Sequence, residues 1–221
     1  MKQRRDPSLI NFQHLLKMQY KLDFDEVNAH KYISKIDPNY VYDDLYSETL
    51  LGLLARCYTH IPYVTTELIN DLIERTDPVY LTPHAGSSID IYRSPLRLLL
   101  SNATKFRNHC VDNQILCLIR KMIAKMDFTL PDSVQQVLQI IAAVKNRHFN
   151  FDTRSYDEYG PNFTELLVPD LVLKGALIYT DAIRIMNREQ DVENRINLLY
   201  LFNKANIRVD AGIVDELFEF V

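Results

Sequence analysis

The chain holds 221 residues, 47% of them hydrophobic and 24% charged, with a formal net charge of −4. That balance fits an ordinary globular protein and argues against disorder, because enough apolar surface is present to offset chain entropy. It also disfavours nucleic acid as a partner, since a phosphate backbone is repelled overall and the one basic cluster, Lys2, Arg4 and Arg5, reads as a solvated end. Three cysteines, Cys57, Cys110 and Cys117, form no disulfide framework, which points to a reducing compartment. Met1 is followed by charge without an apolar stretch, so no signal peptide is expected. The apolar runs Val137–Val144 and Leu171–Ile178 fall short of a membrane span. The expected setting is intracellular and cytoplasmic, with a nuclear location open. Only five glycines are present, which leaves little for phosphate-cradling loops.

Taken in chain order, the elements alternate helix and short break. Tyr32-Ile33-Ser34-Lys35-Ile36-Asp37-Pro38 reads as the last turn of a helix followed by a turn, and Tyr40-Val41-Tyr42 as a short extended segment. Thr49 should cap a Leu-rich helix running through Ala55, its hydroxyl accepting from a first-turn amide. Leu68-Ile69 and Leu72-Ile73 form a buried helical stripe that ends at Asp77-Pro78. A long loop over Val79–Arg93 is expected next, with Ile89–Tyr92 extended. Ser94 caps a second Leu-rich helix, with Pro95 at its first position. Leu118-Ile119 and Met122-Ile123 repeat the stripe, and Leu130-Pro131 marks a further break. A second loop is expected over Asn150–Pro169, with breaks at Gly160-Pro161 and Val168-Pro169. Leu173-Lys174-Gly175-Ala176 reads equally as a helix end or the interior of a long helix.

Several of these pieces recur. The helix-end pattern of Tyr32–Pro38 returns at Leu72–Pro78, at Met122-Ile123-Ala124-Lys125-Met126-Asp127 and, more weakly, at Leu201–Asn206. Between copies, Ser47–Ala55 resembles Tyr92–Leu100. Each copy places a basic residue near the negative end of its helix. The order of helix end, Asp turn, exposed tip, Ser/Thr cap, Leu-rich helix and second helix resembles the ankyrin repeat. The closest matches to that signature are Asp37-Pro38-Asn39 and Ser94-Pro95-Leu96. The family's signature His is replaced by Gly52 and Arg97, and its turn glycine by Lys35, Arg75, Lys125 and Lys204. A left-handed turn at those residues would cost about 1 kcal/mol each. Copies roughly 40 to 50 residues apart exceed the family's usual ~33, so inserted loops are implied.

The expected fold is therefore all-α, an irregular ankyrin-like helical repeat solenoid with inserted loops. It forms a single domain over 1–221, with the clearest repeats over 28–130 and a divergent helical part over 131–221. Another α-solenoid, or a helical bundle with chance echoes, competes with it.

No residue pattern demands catalysis. Cys57 with His60, and His109-Cys110 with Cys117, lack the paired spacing of a zinc site. The acidic groups Asp43, Asp44, Glu48 and Asp152, Asp157, Glu158 read as solvated turns. Ser87-Ser88 beside His84 lacks the context of an activated nucleophile, and His148 reads as a helix-end residue. Neither cofactor nor metal is expected. The 13 tyrosines are the informative feature, because tyrosine concentrates at interface hot spots. Tyr40, Tyr42 and Tyr46 with Asp43 and Asp44 form one candidate protein-binding patch, and Tyr92, Arg93 and Arg97 a second. The resemblance implies a non-catalytic adaptor, inhibitor or host-directed effector that binds a protein partner, with neither nucleic acid nor membrane engaged. An enzyme with its site in the 150–169 loop is the alternative reading. So is a self-assembling protein pairing through its C-terminal run Ile213–Val221.

Overall fold

The computed structural model describes residues 6–19, 26–43, 47–58, 61, 64–103, 112–144, 147–150, 155–158, 163–177 and 182. These residues are mostly helical. Helices α1 (Pro7–Gln19) and α2 (Glu26–Ile33) pack together and precede a short antiparallel hairpin of β1 (Val41–Tyr42) and β2 (Glu48–Thr49). There follow α3 (Leu50–Cys57), α4 (Thr66–Arg75), the short α5 (Pro78–Leu81), a 3-10 turn at Ile91–Arg93, α6 (Pro95–Asn102), α7 (Asn113–Lys125) and α8 (Ser133–Ala143). A second hairpin, β3 (Arg147–Asn150) with β4 (Ser155–Glu158), sets Arg147 opposite Glu158 and leads to α9 (Phe163–Leu173). Among the described residues no helix is long and apolar enough to cross a membrane.

Local chemistry sets the helix starts. The Thr49 hydroxyl accepts from the Gly52 amide at 3.1 Å, Thr65 from Leu68 at 3.2 Å and Ser94 from Arg97 at 3.4 Å. Asp112 accepts from Gln114 at 2.9 Å. Each bond satisfies an amide that the first turn leaves unpaired. Pro95 and Pro78 open α6 and α5, where a missing donor costs nothing.

The apolar stripes then decide the packing. Leu50, Leu51, Leu53 and Leu54 of α3 are all buried, as are Ile69, Leu72 and Ile73 of α4 and Leu96, Leu99 and Leu100 of α6. Leu118, Ile119, Met122 and Ile123 of α7 join them, with Val137, Ile140 and Ile141 of α8 and Leu167 and Leu171 of α9. At about 1.5–3 kcal/mol per side chain, this burial outweighs any single polar contact in the molecule. α3 packs on α6 and α6 on α8, which makes one row; α4 packs on α7 and α7 on α9, which makes a second. Cross-row pairs α3–α4, α6–α7 and α8–α9 tie the rows together.

Polar links along the second row fix its register. Thr66 donates to Gln114 across 48 positions, Lys121 to Asn70 across 51, and the Lys125 ammonium to the Ile73 carbonyl across 52. From α7 to α9, Arg120 meets Asp170 at 3.2 Å and the Lys174 ammonium donates to the Ala124 carbonyl at 2.6 Å, each across 50 positions. The near-constant offset means that α4, α7 and α9 run parallel and level with one another. Lys125 also donates to the Glu74 carbonyl, so it caps the C-terminal end of α4 as Lys174 caps that of α7. Lys125 and Lys174 thus each serve the preceding helix of the row, whereas Arg75 at the end of α4 pairs with Asp71 of its own helix at 2.9 Å. Lys125→Met should cost about 1–2 kcal/mol by stripping the donor from those carbonyls. In urea titration, the exposed Lys121→Met should cost clearly less.

A second ladder joins the turns. The Asp37 amide donates to the Ser8 hydroxyl, the Asp77 amide to the Asn39 side chain at 2.8 Å and the Asp127 amide to the Thr82 hydroxyl at 2.8 Å.

Several expectations need correction. Of the residues standing for the turn glycine, Lys35, Arg75 and Lys125 are not left-handed, and Lys204 lies outside the described residues. Among the described non-glycine residues, positive φ occurs at Ser47 and Asp132, not at Lys35, Arg75 or Lys125. The α4 end runs on instead into an extended Thr76, so the anticipated strain is absent. Ile89–Tyr92 does not form an extended segment, because Asp90 accepts from the Tyr92 amide at 2.7 Å and folds the 3-10 turn. Pro169 does not break its helix; it lies inside α9, where buried Phe163, Leu167, Val168 and Leu171 hold the helix despite the bond proline removes. The expected loops at 79–93 and 150–169 accordingly contain α5 and the 3-10 turn, and β4 and the start of α9. His148 lies in β3, not at a helix end. Leu173–Ala176 is a helix end. Gly175 takes φ +74° and the Ala176 amide closes on the Leu171 carbonyl at 2.9 Å.

Candidate functional site

The first tyrosine patch is built around Phe12. That ring is fully buried on α1, and Tyr42 stacks on it at 4.9 Å and 12° while Tyr40 tilts against it at 6.2 Å. Tyr40 and Tyr42 are therefore half-buried, wedged between hairpin and α1. Burial raises the Tyr40 hydroxyl pKa, with Asp6, Tyr42 and Asp43 adding to the effect. Asp43 is exposed beside them. Asp44 and Tyr46 lie outside the described residues.

Glu48 does not belong to the acidic surface expected there. It is 4% exposed, and its Oε2 accepts from Arg56 Nη2 at 3.0 Å, which ties the hairpin to the far end of α3. A carboxylate so buried needs its guanidinium.

The second patch is open. Asp90 folds the turn through two bonds, accepting from the Tyr92 amide on its carboxylate and from the Arg93 amide on its carbonyl at 2.8 Å. The Ser94 hydroxyl donates to the Ile91 carbonyl at 2.9 Å and then caps α6. This geometry throws the Tyr92 ring outwards, 66% exposed, and brings the Arg97 guanidinium carbon to 5.0 Å from its centroid. Such cation–π contact is worth about 0.5–1 kcal/mol at an exposed site, enough to bias the Arg97 rotamer. Among the described residues no carboxylate or carbonyl accepts from that guanidinium. Arg93 is partly exposed, and its carbonyl lies where a side chain at Gly52 would begin, 3.0 Å away. The turn is thus seated on α3, and Gly52 is what allows the seat.

A groove of about 370 Å³ opens between α4 and α7, lined by Thr66, Glu67, Asn70, Gln114, Cys117 and Lys121. Its walls are bridged at Thr66–Gln114 and at Lys121–Asn70, 2.6 Å. The sequence reading missed it because nothing in either helix says that the two are neighbours.

Two of the groups first weighed for chemistry, His84 and Ser87, make local hydrogen bonds. His84 Nδ1 meets the Thr82 carbonyl at 2.7 Å, and the Ser87 hydroxyl accepts from the Ile89 amide at 3.1 Å. Cys57 is buried, and desolvation lifts its thiol from 9.0 to about 11, with Arg56 opposing and Glu48 adding. The fold holds that proton more tightly than the unfolded chain. The contribution is complete below pH 9 and is lost as pH rises towards 11. Below pH 9, iodoacetamide should modify exposed Cys117 well before Cys57, which peptide mass spectrometry would resolve. His60, His109, Cys110, Asp152 and Ile213–Val221 lie outside the described residues, as do 151–154 and 159–162 of the 150–169 segment.

Comparison of the chain with protein families, curated proteins and solved structures finds no match.

Proposed function

We propose that the chain is a non-catalytic protein-interaction module, an irregular ankyrin-like helical repeat solenoid acting in the cytoplasm. The observation that carries the reading is the offset of 48 to 52 positions in the side-chain links Thr66–Gln114, Lys121–Asn70, Lys125–Ile73, Arg120–Asp170 and Lys174–Ala124. Such a spacing is what stacked repeats produce when each buries its apolar face against its neighbour. The capped Leu-rich helices α3 and α6 and the turns at Asp37, Asp77 and Asp127 support the ankyrin-like order. In a stack of this kind the tips and the first row of helices form a continuous recognition edge. Tyr92 and Arg97 stand on that edge with their contact-making groups open. They are the better anchor, because Tyr40 and Tyr42 already spend much of their surface on Phe12.

The test is affinity capture from lysate with the wild-type chain and a Tyr92→Ala/Arg97→Gln variant, helicity being checked by circular dichroism. A specific protein should be captured by the wild type, and its recovery should fall about tenfold or more in the variant. Equal capture by both removes this patch from the account, and no specific capture by the wild type removes the interaction module.

A further inference from the structure

The two rows differ in charge. The chain as a whole has 29 acidic and 25 basic residues, yet α3, α6 and α8 carry Arg56 and Arg97 and not a single Asp or Glu. The second row is mixed: α4 carries Glu67, Asp71, Glu74 and Arg75, α7 carries Arg120, Lys121 and Lys125, and α9 carries Glu165 and Asp170. The carboxylates bordering the first row sit at helix starts: Asp90, bonded to the Tyr92 amide, and Asp132, the residue before α8. Glu48 is buried against Arg56. With Arg56 taken by Glu48, Arg97 is the cation of the first-row helices that no carboxylate answers among the described residues.

The geometry of the pair adds chemistry to that charge. A guanidinium lying over an aromatic ring keeps its in-plane N–H donors directed away from the ring, in the fork that matches a carboxylate. Arg97 is so placed over Tyr92, and among the described residues none of those donors is taken. The ring itself is 66% exposed and has apolar face left to cover.

We propose that Tyr92 and Arg97 dock an acidic segment of a protein partner, Arg97 taking an Asp or Glu carboxylate while the Tyr92 ring packs on the apolar side chain next to it. This rests on the interaction-module reading and names the chemistry of its partner. A nucleic acid is the poorer occupant, because it calls for many phosphate contacts and the chain's net charge is −4.

Fluorescence anisotropy tests it, using the full chain and a fluorescein-labelled peptide of alternating Glu and Leu. Counterparts with Gln or Lys in place of Glu, and an oligothymidine of equal length, complete the set. The Glu peptide should bind tightest, weaken as salt rises, and lose about tenfold in affinity to Arg97→Gln and several-fold to Tyr92→Ala. Arg97→Lys should recover only part of the loss, since a lysine has no fork. The proposal is overturned if the Glu peptide fails to bind, if the Gln or Lys peptide or the oligothymidine binds as well, or if Arg97→Gln leaves affinity unchanged. Its failure is separable from that of the module. A cellular partner captured equally by the wild type and Arg97→Gln, but lost when the exposed α8 residues Gln135 and Gln139 are both changed to Ala, would leave the module standing while the acidic docking point falls.

Discussion

Arg56→Ala is expected to destabilise the fold by about 3 kcal/mol, seen as a lower urea midpoint at unchanged slope. The reason lies in Glu48, whose side chain is 5% exposed and whose carboxylate sits 3.0 Å from the Arg56 guanidinium. Removing the arginine leaves a buried anion without that cation, and deletes the packing of its stem. Arg56 is itself 26% exposed, so water enters in its place and the loss falls at the lower end of that seen for fully buried pairs. The double variant Glu48→Gln/Arg56→Met should be more stable than Arg56→Ala alone, because the buried negative charge is gone. A loss under about 0.5 kcal/mol for Arg56→Ala would mean that solvent already screens Glu48 as at any surface pair.

Gly52→Val should be of similar size, about 3 kcal/mol, for a steric reason. A Cβ at residue 52 meets the Arg93 carbonyl oxygen at 3.0 Å and the Glu48 Cγ at 3.2 Å. The first is backbone and cannot swing aside; the second belongs to a buried side chain. Gly52→Ala gains up to about 1 kcal/mol of helix propensity against that crowding, so it should come out near neutral or slightly destabilised. Valine adds two methyl groups in the same place and has no such offset. The variant also has a second signature. Displacing the Arg93 carbonyl moves the turn that carries Tyr92, so partner capture should fall even at temperatures where Gly52→Val remains folded. Wild-type stability in Gly52→Val would show that the turn yields freely and is not seated on α3.

The features legible in the sequence are those decided within a few residues. Thr49 and Ser94 announce their helices because a hydroxyl before an apolar run has a local amide to meet, and Pro95 announces the first turn for the same reason. The stripes Leu72-Ile73 and Met122-Ile123 show which face is buried. Features set by distant neighbours were hidden. Lys125 looks like a residue serving its own helix dipole, but its partner carbonyl is 52 positions back at Ile73. Tyr42 looks like an interface residue in a tip, but Phe12 supplies its stacking surface. Glu48 looks solvated until Arg56 and Gly52 are seen around it. Pro169 signals a break that packing of α9 on α7 and α8 overrides. The candidate site falls between these cases. Tyr92, Arg93 and Arg97 stand out by residue type, while their arrangement depends on Asp90 and Ser94 turning the chain back on itself.

Site-specific photocrosslinking in cells tests the central claim most directly. A benzophenone amino acid would be placed in turn at Tyr92, Ser101 and Gln135 on the first row and its edge, and at Glu67, Asp71 and Glu74 on the second, all of them outside the buried core. The account predicts that one partner protein crosslinks from the first-row positions and not from the second. Crosslinks confined to Glu67, Asp71 and Glu74, or none from any position, would contradict it.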